Sequence, residues 1–256
     1  MNCPICHEPL RKENRTWRCI HNHCFDEARQ GYVNLSRKQK HSGDNEEMSR
    51  ARTAFLETGA YAFMRDALAN KIEELHPNQY LDLGCGEGYY TRTFAPLVKE
   101  AYGIDLSKPS IAHAAALDKR TQYIVGSIFE LPFNDYSMDV LTSVFTPIPH
   151  EEASRVLKDD GVLITVTPGR DHHKELKAQL YEKVRLNDEL DHIEGFECLK
   201  QECLSRTVHV DDVWLLLEMT PYRYKTSKEG LDKIRALTDG LDVTFEFVIS
   251  TWKKSC

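Results

Sequence analysis

The chain has 256 residues, of which 41% are hydrophobic, and its formal net charge is −7. This length accommodates one large domain plus a small module, and a core of this size needs no disulfides. The sequence has no run of about 18 apolar residues and no apolar leader after a basic start, which argues against a transmembrane helix and a signal peptide. We therefore expect a cytoplasmic protein without membrane contact.

The charge is unevenly distributed along the chain. Residues 1–55 contain 10 lysines and arginines against 7 acidic residues, a balance of +3, whereas the remaining residues carry a balance of −10. Any contact with a polyanion such as RNA is therefore predicted near the N-terminus. On charge alone, a solvated polar surface is the favoured explanation.

The first 24 residues contain four of the eight cysteines. Cys3, Cys6, Cys19 and His23 form the pattern C-x2-C-x12-C-x3-H, which is typical of a closed, structural zinc site. A segment of about 30 residues buries little core, so metal binding would supply the missing folding energy.

Two alternatives to this ligand set stay open from spacing alone. Cys24 could replace His23 as the fourth ligand, and His7 and His21 also lie nearby. A redox role for the first cysteine pair would need a thioredoxin-like strand–helix context, which the start of this chain lacks. The other four cysteines are interpreted as small buried side chains or idle thiols: Cys85, Cys198, Cys203 and Cys256.

After the module, residues 36–47 are polar and predict an exposed loop. A helical pattern then begins at Met48 and continues past Gly59 to about Leu75. Beyond it, short apolar runs alternate with helix-like segments, which indicates a parallel sheet with helices on both faces. The predicted strands are 80–83, 101–104, 123–125, 140–144 and 162–166, and the helices between them are 90–97, 109–117 and 151–157.

The C-terminal third continues this pattern less regularly. We predict a long polar helix over 171–190, a helix over 211–218 and an alternating strand over 243–252. The whole pattern predicts an α/β fold with a doubly wound, Rossmann-like sheet. The predicted organisation is a zinc module over 1–35, a linker and leading helix over 36–60, and a catalytic domain over 61–256.

The sharpest local signal is a glycine-rich turn after the first predicted strand, Leu81-Asp82-Leu83-Gly84-Cys85-Gly86-Glu87-Gly88. Glycines at this place let the backbone turn tightly and approach a ligand closely. A dinucleotide-binding loop, G-x-G-x-x-G, would place its third glycine at position 89, which is Tyr89. The alternate spacing favours S-adenosylmethionine over NAD, and nearby carboxylates such as Asp82 or Glu87 suit the cofactor's positive groups.

A second acid supports a nucleoside cofactor. Asp105 ends the next predicted strand, where a carboxylate can accept hydrogen bonds from both ribose hydroxyls. Taken alone, Asp105 could equally be a turn or helix-capping residue. Phe145-Thr146-Pro147 follows the fourth predicted strand, where a methyl acceptor would approach the cofactor.

Several motifs occur together in one order along the chain. They are C-P-x-C at the start, F-D-x-A-x-x-G-Y-V-N-L (25–35), R-x-x-F-L (52–56), G-x-Y (59–61), L-D-x-G-C-G-E-G-Y-Y-T (81–91), T-P-G (167–169) and M-T-P-Y (219–222). This combination resembles the RlmA-type 23S rRNA (guanine-N1)-methyltransferases over essentially the whole chain. The glycine loop alone would indicate only a methyltransferase.

The resemblance implies roles for individual residues. Cys3, Cys6, Cys19 and His23 match the family's zinc ligands, which favours His23 over Cys24. Four further positions match its cofactor site: Tyr61, Gly86, Glu87 and His172, with His173 adjacent. With Asp82, Gly84 and Asp105 from the loop analysis, these form the predicted S-adenosylmethionine site. Thr146 stands where the family often has alanine, which touches the expected acceptor pocket.

The implied reaction transfers a methyl group to the N1 of a guanine in a hairpin loop of 23S rRNA, with zinc in a structural role. The ring nitrogen must lose a proton, but the sequence does not identify which of Asp171, His172 and Glu175 would act as a general base. The acceptor guanine would be splayed out and could stack on Phe145, Tyr222 or Tyr224, which are equally well explained as core aromatics. The resemblance is compatible with a homodimer, and some family members are linked to macrolide resistance.

Two other functions compete with this one. A small-molecule methyltransferase, acting on quinones or other metabolites, would leave the zinc module without an obvious role. A non-catalytic RNA-binding protein could use the cofactor fold as a scaffold, and would then bind no S-adenosylmethionine. The sequence does not determine which guanosine is modified.

Overall fold

The structure is a computed structural model that describes residues 1–37, 46–188 and 190–255. The N-terminal module is a three-stranded antiparallel sheet with the order β1-β2-β3. Its strands are β1 (Arg11–Glu13), β2 (Thr16–Arg18) and β3 (Cys24–Asp26). Short strands suffice here because the cysteine and histidine cluster, and not a large apolar core, organises the module.

The main sheet has eight strands in the order β10-β11-β9-β8-β5-β6-β7-β4. The six neighbouring strands from β9 to β4 run parallel. At the other edge, β11 pairs antiparallel with β9, and β10 pairs antiparallel with β11. The strands are β4 (Val33–Asn34), β5 (Gln79–Leu83), β6 (Glu100–Asp105), β7 (Thr121–Val125), β8 (Met138–Val144), β9 (Leu157–Pro168), β10 (Phe196–Val210) and β11 (Leu241–Lys254). The α/β fold with a Rossmann-like sheet is therefore confirmed.

Helices cover both faces of this sheet. They are α1 (Glu46–Glu57), α2 (Ala62–Leu75), α3 (Thr91–Phe94), α4 (Lys108–Leu117), α5 (His150–Val156), α6 (Lys174–Leu180), α7 (Val213–Glu218) and α8 (Lys228–Arg235). Successive residues of β5 point to opposite faces, so Tyr80 belongs to one buried cluster and Leu81 to the other. The first cluster includes Phe55 of α1 and Leu216 of α7.

The zinc module packs against the second face. Its residues Cys3 and Leu10 belong to the same buried cluster as Leu81. The backbone N–H of Asn2 donates to the carbonyl of Pro132 at 2.7 Å. Strand β4 connects the two parts by extending the main sheet beside β7. The predicted boundary at residue 35 therefore follows immediately after a strand of the main sheet.

Two local expectations were wrong, and one strand was not predicted. The single helix predicted from Met48 to Leu75 is broken into α1 and α2, with Gly59 between them in the left-handed region at φ +83°. The helix predicted over 171–190 is limited to α6, because the Asn187 side chain bonds back to Lys177 and to the Gly169 carbonyl. Strand β10 was missed, since its mostly exposed side chains lack apolar alternation and its conformation is stabilised by pairing with β11.

No helix in the described parts of the chain is both long and apolar enough to cross a bilayer.

Candidate metal and cofactor sites

The four predicted metal ligands come together in the N-terminal module. The ligand atoms of Cys3, Cys6, Cys19 and His23 all lie within 4.8 Å of one another. The Cys6 and Cys19 sulfurs are 3.6 Å apart, and the His23 Nδ1 lies 3.5 Å from the Cys3 sulfur and 3.4 Å from the Cys19 sulfur. Zinc–sulfur bonds of about 2.3 Å in a tetrahedron separate sulfurs by roughly 3.7 Å, so the geometry fits a closed structural zinc site.

Two tight turns present these ligands. The His7 N–H donates to the Cys3 carbonyl at 2.9 Å, and the Ile5 N–H points at the Cys3 sulfur at 3.4 Å. The second turn is closed by the Asn22 N–H, which donates to the Cys19 carbonyl at 3.0 Å. Cys24 is exposed, and its thiol donates to the Asn22 carbonyl, away from the cluster. The geometry therefore favours His23 over Cys24.

The glycine loop joins the carboxyl end of β5 to α3. Gly84, Gly86 and Gly88 have φ values of +68°, +54° and +77°, which only glycine adopts without strain. A Cβ placed on Gly84 would lie 2.5 Å from Thr146, and one on Gly88 would lie 2.7 Å from the Tyr123 hydroxyl. A Cβ on Gly86 would meet nothing within 4 Å, so this glycine borders open space. The loop has room for a ligand at the position where a nucleoside cofactor is expected.

Asp105 lies beside this open space at the end of β6. One of its carboxylate oxygens accepts the Gly86 N–H at 3.1 Å, and the other accepts the Ser107 N–H at 2.7 Å. These bonds fix the carboxylate next to the loop while leaving it partly exposed. The geometry fits an acceptor for ribose hydroxyls. The two bonds also fit the turn-capping role that the sequence left open.

Asp82 occupies a different environment from the one the sequence suggested. It is 2% exposed, and its two oxygens accept hydrogen bonds from the hydroxyls of Thr91 (2.6 Å) and Thr142 (2.9 Å). Burial raises the pKa of Asp82 to about 6, opposed by the two hydroxyl donors. The side chain therefore connects the loop to α3 and β8. No sequence motif indicates the partner on β8, Thr142.

Glu87 is also buried, with 4% of its surface exposed. Burial raises the pKa of this carboxyl, while the positive charge of Arg52 on α1 opposes the shift. The motif R-x-x-F-L thus brings an arginine to the glycine loop. The charge of Arg52 therefore favours the ionised form of this carboxyl.

Tyr61 and His172, which are distant in sequence, meet under the carboxyl end of the sheet. The Tyr61 hydroxyl lies 3.4 Å from His172 Nε2 and 3.0 Å from His173 Nε2. The Tyr61 ring packs edge-on against Phe245 and Phe247 of β11, at centroid distances of 5.1 and 4.8 Å. Both histidines are at most 4% exposed. Burial lowers the pKa of His172 to about 3, and that of His173 well below its ordinary value.

Phe145 is the exposed aromatic residue of this region. It has φ +56°, which is unusual for a residue with a side chain, and its ring is 44% exposed. The ring centroid lies 6.4 Å from that of Tyr61 and 6.0 Å from that of His172. The next residue, Thr146, contacts Gly84, so the predicted acceptor loop touches the cofactor loop directly.

Each of the three candidate bases already has a hydrogen-bond or ion-pair partner in this structure. Both oxygens of Glu175 accept hydrogen bonds from Thr244, at 2.8 Å from its N–H and 2.7 Å from its hydroxyl. Asp171 is paired with Lys174 at 2.8 Å. The Nδ1 atom of His172 accepts the backbone N–H of Glu246 at 3.2 Å, and its pKa is low. The arrangement therefore favours positioning over general-base catalysis.

Known proteins resemble the chain in both of its parts. A family model described as the RlmA N-terminal zinc ribbon matches residues 1–42, and a methyltransferase-domain model matches residues 81–165. A crystal structure of a provisionally named methyltransferase from Bacillus halodurans superimposes with a TM-score of 0.52 at 19% identity. It covers 73% of this chain and 99% of its own. This likeness confirms the fold alone.

Two relatives match most of the chain. The 23S rRNA (guanine(748)-N(1))-methyltransferase of Streptomyces fradiae is 35% identical over 228 residues, which is 82% of this chain and 80% of the relative. A provisionally named 23S rRNA (guanine-N1)-methyltransferase of Bacillus subtilis is 29% identical over 95% of this chain and 93% of its own.

The two family models together cover the zinc ribbon and the cofactor loop. The N-terminal module is a zinc ribbon, and the larger domain is that of an S-adenosylmethionine-dependent methyltransferase. The chain therefore belongs to the family of RlmA-type 23S rRNA (guanine-N1)-methyltransferases.

Proposed function

We propose that this chain transfers a methyl group from S-adenosylmethionine to the N1 of one guanine in a hairpin loop of 23S rRNA. The observation that carries the proposal is the similarity to the Streptomyces fradiae enzyme, which spans 82% of this chain. A shared domain of general methyltransferase type would not include the zinc ribbon, whereas the matched family model does.

Bound S-adenosylmethionine supplies an already activated methyl group. Gly86 borders the space in which the cofactor would lie, and Asp105 would accept its ribose hydroxyls. The buried Glu87 provides negative charge near the cofactor's positive groups. Tyr61 and His172 would form an aromatic wall of the same site. Asp82 would hold the loop through Thr91 and Thr142 without contacting the cofactor.

The acceptor guanine would enter beside Phe145. Its exposed ring offers a stacking surface for a base that has left the RNA stack, and such stacking contributes about 1–3 kcal/mol per base. Tyr222 is half-buried near His173, whereas Tyr224 is 54% exposed. Since the nearby acids are already paired, the N1 proton would leave to solvent as the positioned methyl group is transferred.

The zinc ribbon would be the part that contacts RNA phosphates. Among the described residues, Arg11, Arg29 and Arg37 are exposed and have no ion-pair partner, whereas Lys12 pairs with Glu27 and Arg18 lies near Glu13. We propose the same role for Lys38 and Lys40, which lie outside the described residues.

A cleft of about 930 Å³ lies along the contact between the ribbon and the loop that follows β7. Arg37 and the exposed ring of Phe129 line this cleft. Its size and these two side chains would suit an unpaired nucleotide held between Arg37 and Phe129, on the side of the cleft away from the acidic residues Glu130, Asp135 and Glu152 that also line it. We further propose that the enzyme acts in the cytoplasm, where the ribosomal RNA is, and that residues 1–35 form the RNA-recognition module. A homodimer is compatible with this function.

The decisive experiment is methylation of a 23S rRNA fragment by the purified protein. We expect incorporation of one methyl group per fragment and a stop in reverse transcription at one guanine, since N1 methylation blocks the pairing edge. Arg37→Glu should weaken RNA binding and lower its salt slope by about one, and leave S-adenosylhomocysteine binding unchanged. Lys228→Glu, at an exposed position on α8, is the matched control.

The outcomes separate the competing functions. A small-molecule methyltransferase would bind the cofactor but would not methylate the rRNA fragment. Its Arg37→Glu variant would methylate a small metabolite as fast as the wild type does. RNA binding without any cofactor binding would favour a non-catalytic scaffold. Deletion of residues 1–35 is a poorer test, because it also removes β4 from the main sheet.

A further inference from the structure

Two buried histidines and a tyrosine form a hydrogen-bonded chain at the proposed cofactor site. We propose that His173 is a positioning residue that does not touch the cofactor itself. It fixes the direction of the hydrogen bond between Tyr61 and His172, and thereby holds these two side chains in place at the cofactor site. The inference rests on the proposed placement of Tyr61 and His172 at the S-adenosylmethionine site.

The direction of these hydrogen bonds follows from the bond that His172 Nδ1 makes with the backbone. The backbone N–H of Glu246 donates to Nδ1 of His172 at 3.2 Å, so this nitrogen carries no proton. A neutral imidazole then carries its proton on Nε2, which must donate to the Tyr61 hydroxyl oxygen at 3.4 Å. The Tyr61 hydroxyl proton is left to donate to His173 Nε2, at 3.0 Å. His173 must therefore carry its own proton on Nδ1.

Packing keeps both imidazoles in the neutral form that this direction requires. Their ring centroids are 3.8 Å apart, and both side chains are at most 4% exposed. Two imidazolium ions in contact would repel each other strongly in such an environment. The positive charge of Lys177 also disfavours a charge on either ring.

The backbone conformation of His173 is unusual, and it directs the imidazole towards Tyr61. The residue has φ +61°, which costs a residue with a side chain about 1 kcal/mol or more. Its N–H donates to the Thr244 carbonyl at 2.8 Å, and helix α6 begins at the next residue. The strained turn aims the imidazole back at Tyr61, where the ring also packs against Phe245 at 5.4 Å.

One consequence concerns the proposed reaction. The Tyr61 hydroxyl proton and both nitrogens of His172 are engaged within the protein. These two residues therefore supply no free base, and because each is only 4% exposed, they would shape the cofactor site through their packing. His173 keeps the Tyr61 ring and the His172 ring in one mutual arrangement, 6.2 Å apart at their centroids.

The test uses S-adenosylhomocysteine binding by calorimetry and needs no RNA. His173→Leu removes the acceptor and leaves the Tyr61 hydroxyl unsatisfied, so affinity should fall about tenfold. His173→Gln keeps an acceptor near the place of Nε2 and should remain within about threefold of the wild-type affinity. In a Tyr61→Phe background, His173→Leu should have no additional effect, because the shared bond is already absent.

Nitrogen NMR of the wild-type rings provides a readout that does not depend on folding of any variant. We expect His172 protonated on Nε2 and His173 protonated on Nδ1. A His173 proton on Nε2, or equal affinities of the leucine and glutamine variants, would overturn the inference. If the wild type itself binds no S-adenosylhomocysteine, the proposed cofactor site fails instead, and the two failures are thus distinguishable.

Discussion

Gly84 and Gly86 both have positive φ, but the structure requires glycine at the two positions for different reasons. Beyond the backbone conformation, Gly84 must leave room for Thr146, which would lie 2.5 Å from a Cβ. Gly86 faces open space, so only a ligand would be obstructed there. Thr146, where the family often has alanine, therefore packs on the glycine loop.

This difference predicts opposite behaviour of two alanine substitutions. Gly86→Ala should cost only about 1 kcal/mol of stability for the left-handed conformation, yet abolish S-adenosylhomocysteine binding by filling the cradle. Gly84→Ala should lower the melting temperature much more, and Thr146→Ala should partly restore it, because it removes the colliding atoms. Calorimetric binding and thermal unfolding of the three variants and the double variant test this. If Gly86→Ala bound S-adenosylhomocysteine with wild-type affinity, this would contradict the proposed cofactor site.

Residue-level prediction from the sequence was best where a motif fixes the backbone. The alternate glycines and Asp105 lie together beside the open space, as expected for a turn at the end of a parallel strand. Asp82 was predicted from its charge to contact the cofactor. In the structure its two oxygens instead accept hydrogen bonds from the hydroxyls of two threonines. The partner hydroxyl of Thr142 comes from β8, about 60 residues away, so no local pattern could reveal it.

At the scale of elements, periodicity predicted buried strands well and exposed ones poorly. Strands β5 to β9 are apolar because helices cover both of their faces. Strand β10 is exposed along most of its length, and its register with β11 is set by main-chain pairing, which side-chain patterns do not report. Helix α6 ends early because the Lys177–Asn187 contact turns the chain back, a tertiary effect without a local signal.

The zinc ribbon is the element whose stability depends on individual ligands. His23→Ala leaves three thiolates and an incomplete tetrahedron, so it should reduce zinc content and melt the ribbon. Cys24→Ser changes an adjacent exposed thiol outside the cluster and should leave both properties unchanged. Zinc content by mass spectrometry, together with melting before and after chelation, distinguishes them. Equal loss of zinc from both variants would show that Cys24 is a ligand after all.

For the whole molecule, the ribbon is not an independent appendage. It contributes Cys3 and Leu10 to a core shared with the methyltransferase sheet, and β4 covers the edge of β7. Loss of zinc should therefore destabilise the sheet edge as well as the ribbon. The ribbon, with the exposed residues Arg11 and Arg29, is thereby held beside a domain in which residues 56–256 carry a balance of −10.

Stability of the whole molecule should also depend on pH through its buried groups. His172 and His173 remain neutral in the folded protein, whereas in the unfolded chain they take up protons below about pH 6.5. The unfolded state then binds more protons, so the free energy of unfolding falls as pH falls from 6.5 towards 3. Asp82 acts in the opposite direction, because its raised pKa makes the folded protein bind a proton first, between about pH 6 and 4.

The contribution of the two histidines can be isolated by comparison with a variant. Between pH 7.5 and 5.0, the wild type should lose about 4 kcal/mol more unfolding free energy than His172→Gln/His173→Gln, at 1.36 kcal/mol per proton and pH unit. Urea denaturation at the two pH values measures this difference. His209→Gln is the control with the opposite sign, because Asp242 raises the pKa of His209 and its pairing stabilises the protein at low pH. Parallel pH profiles of the wild type and the double variant would mean that the two imidazoles are protonated in the folded protein.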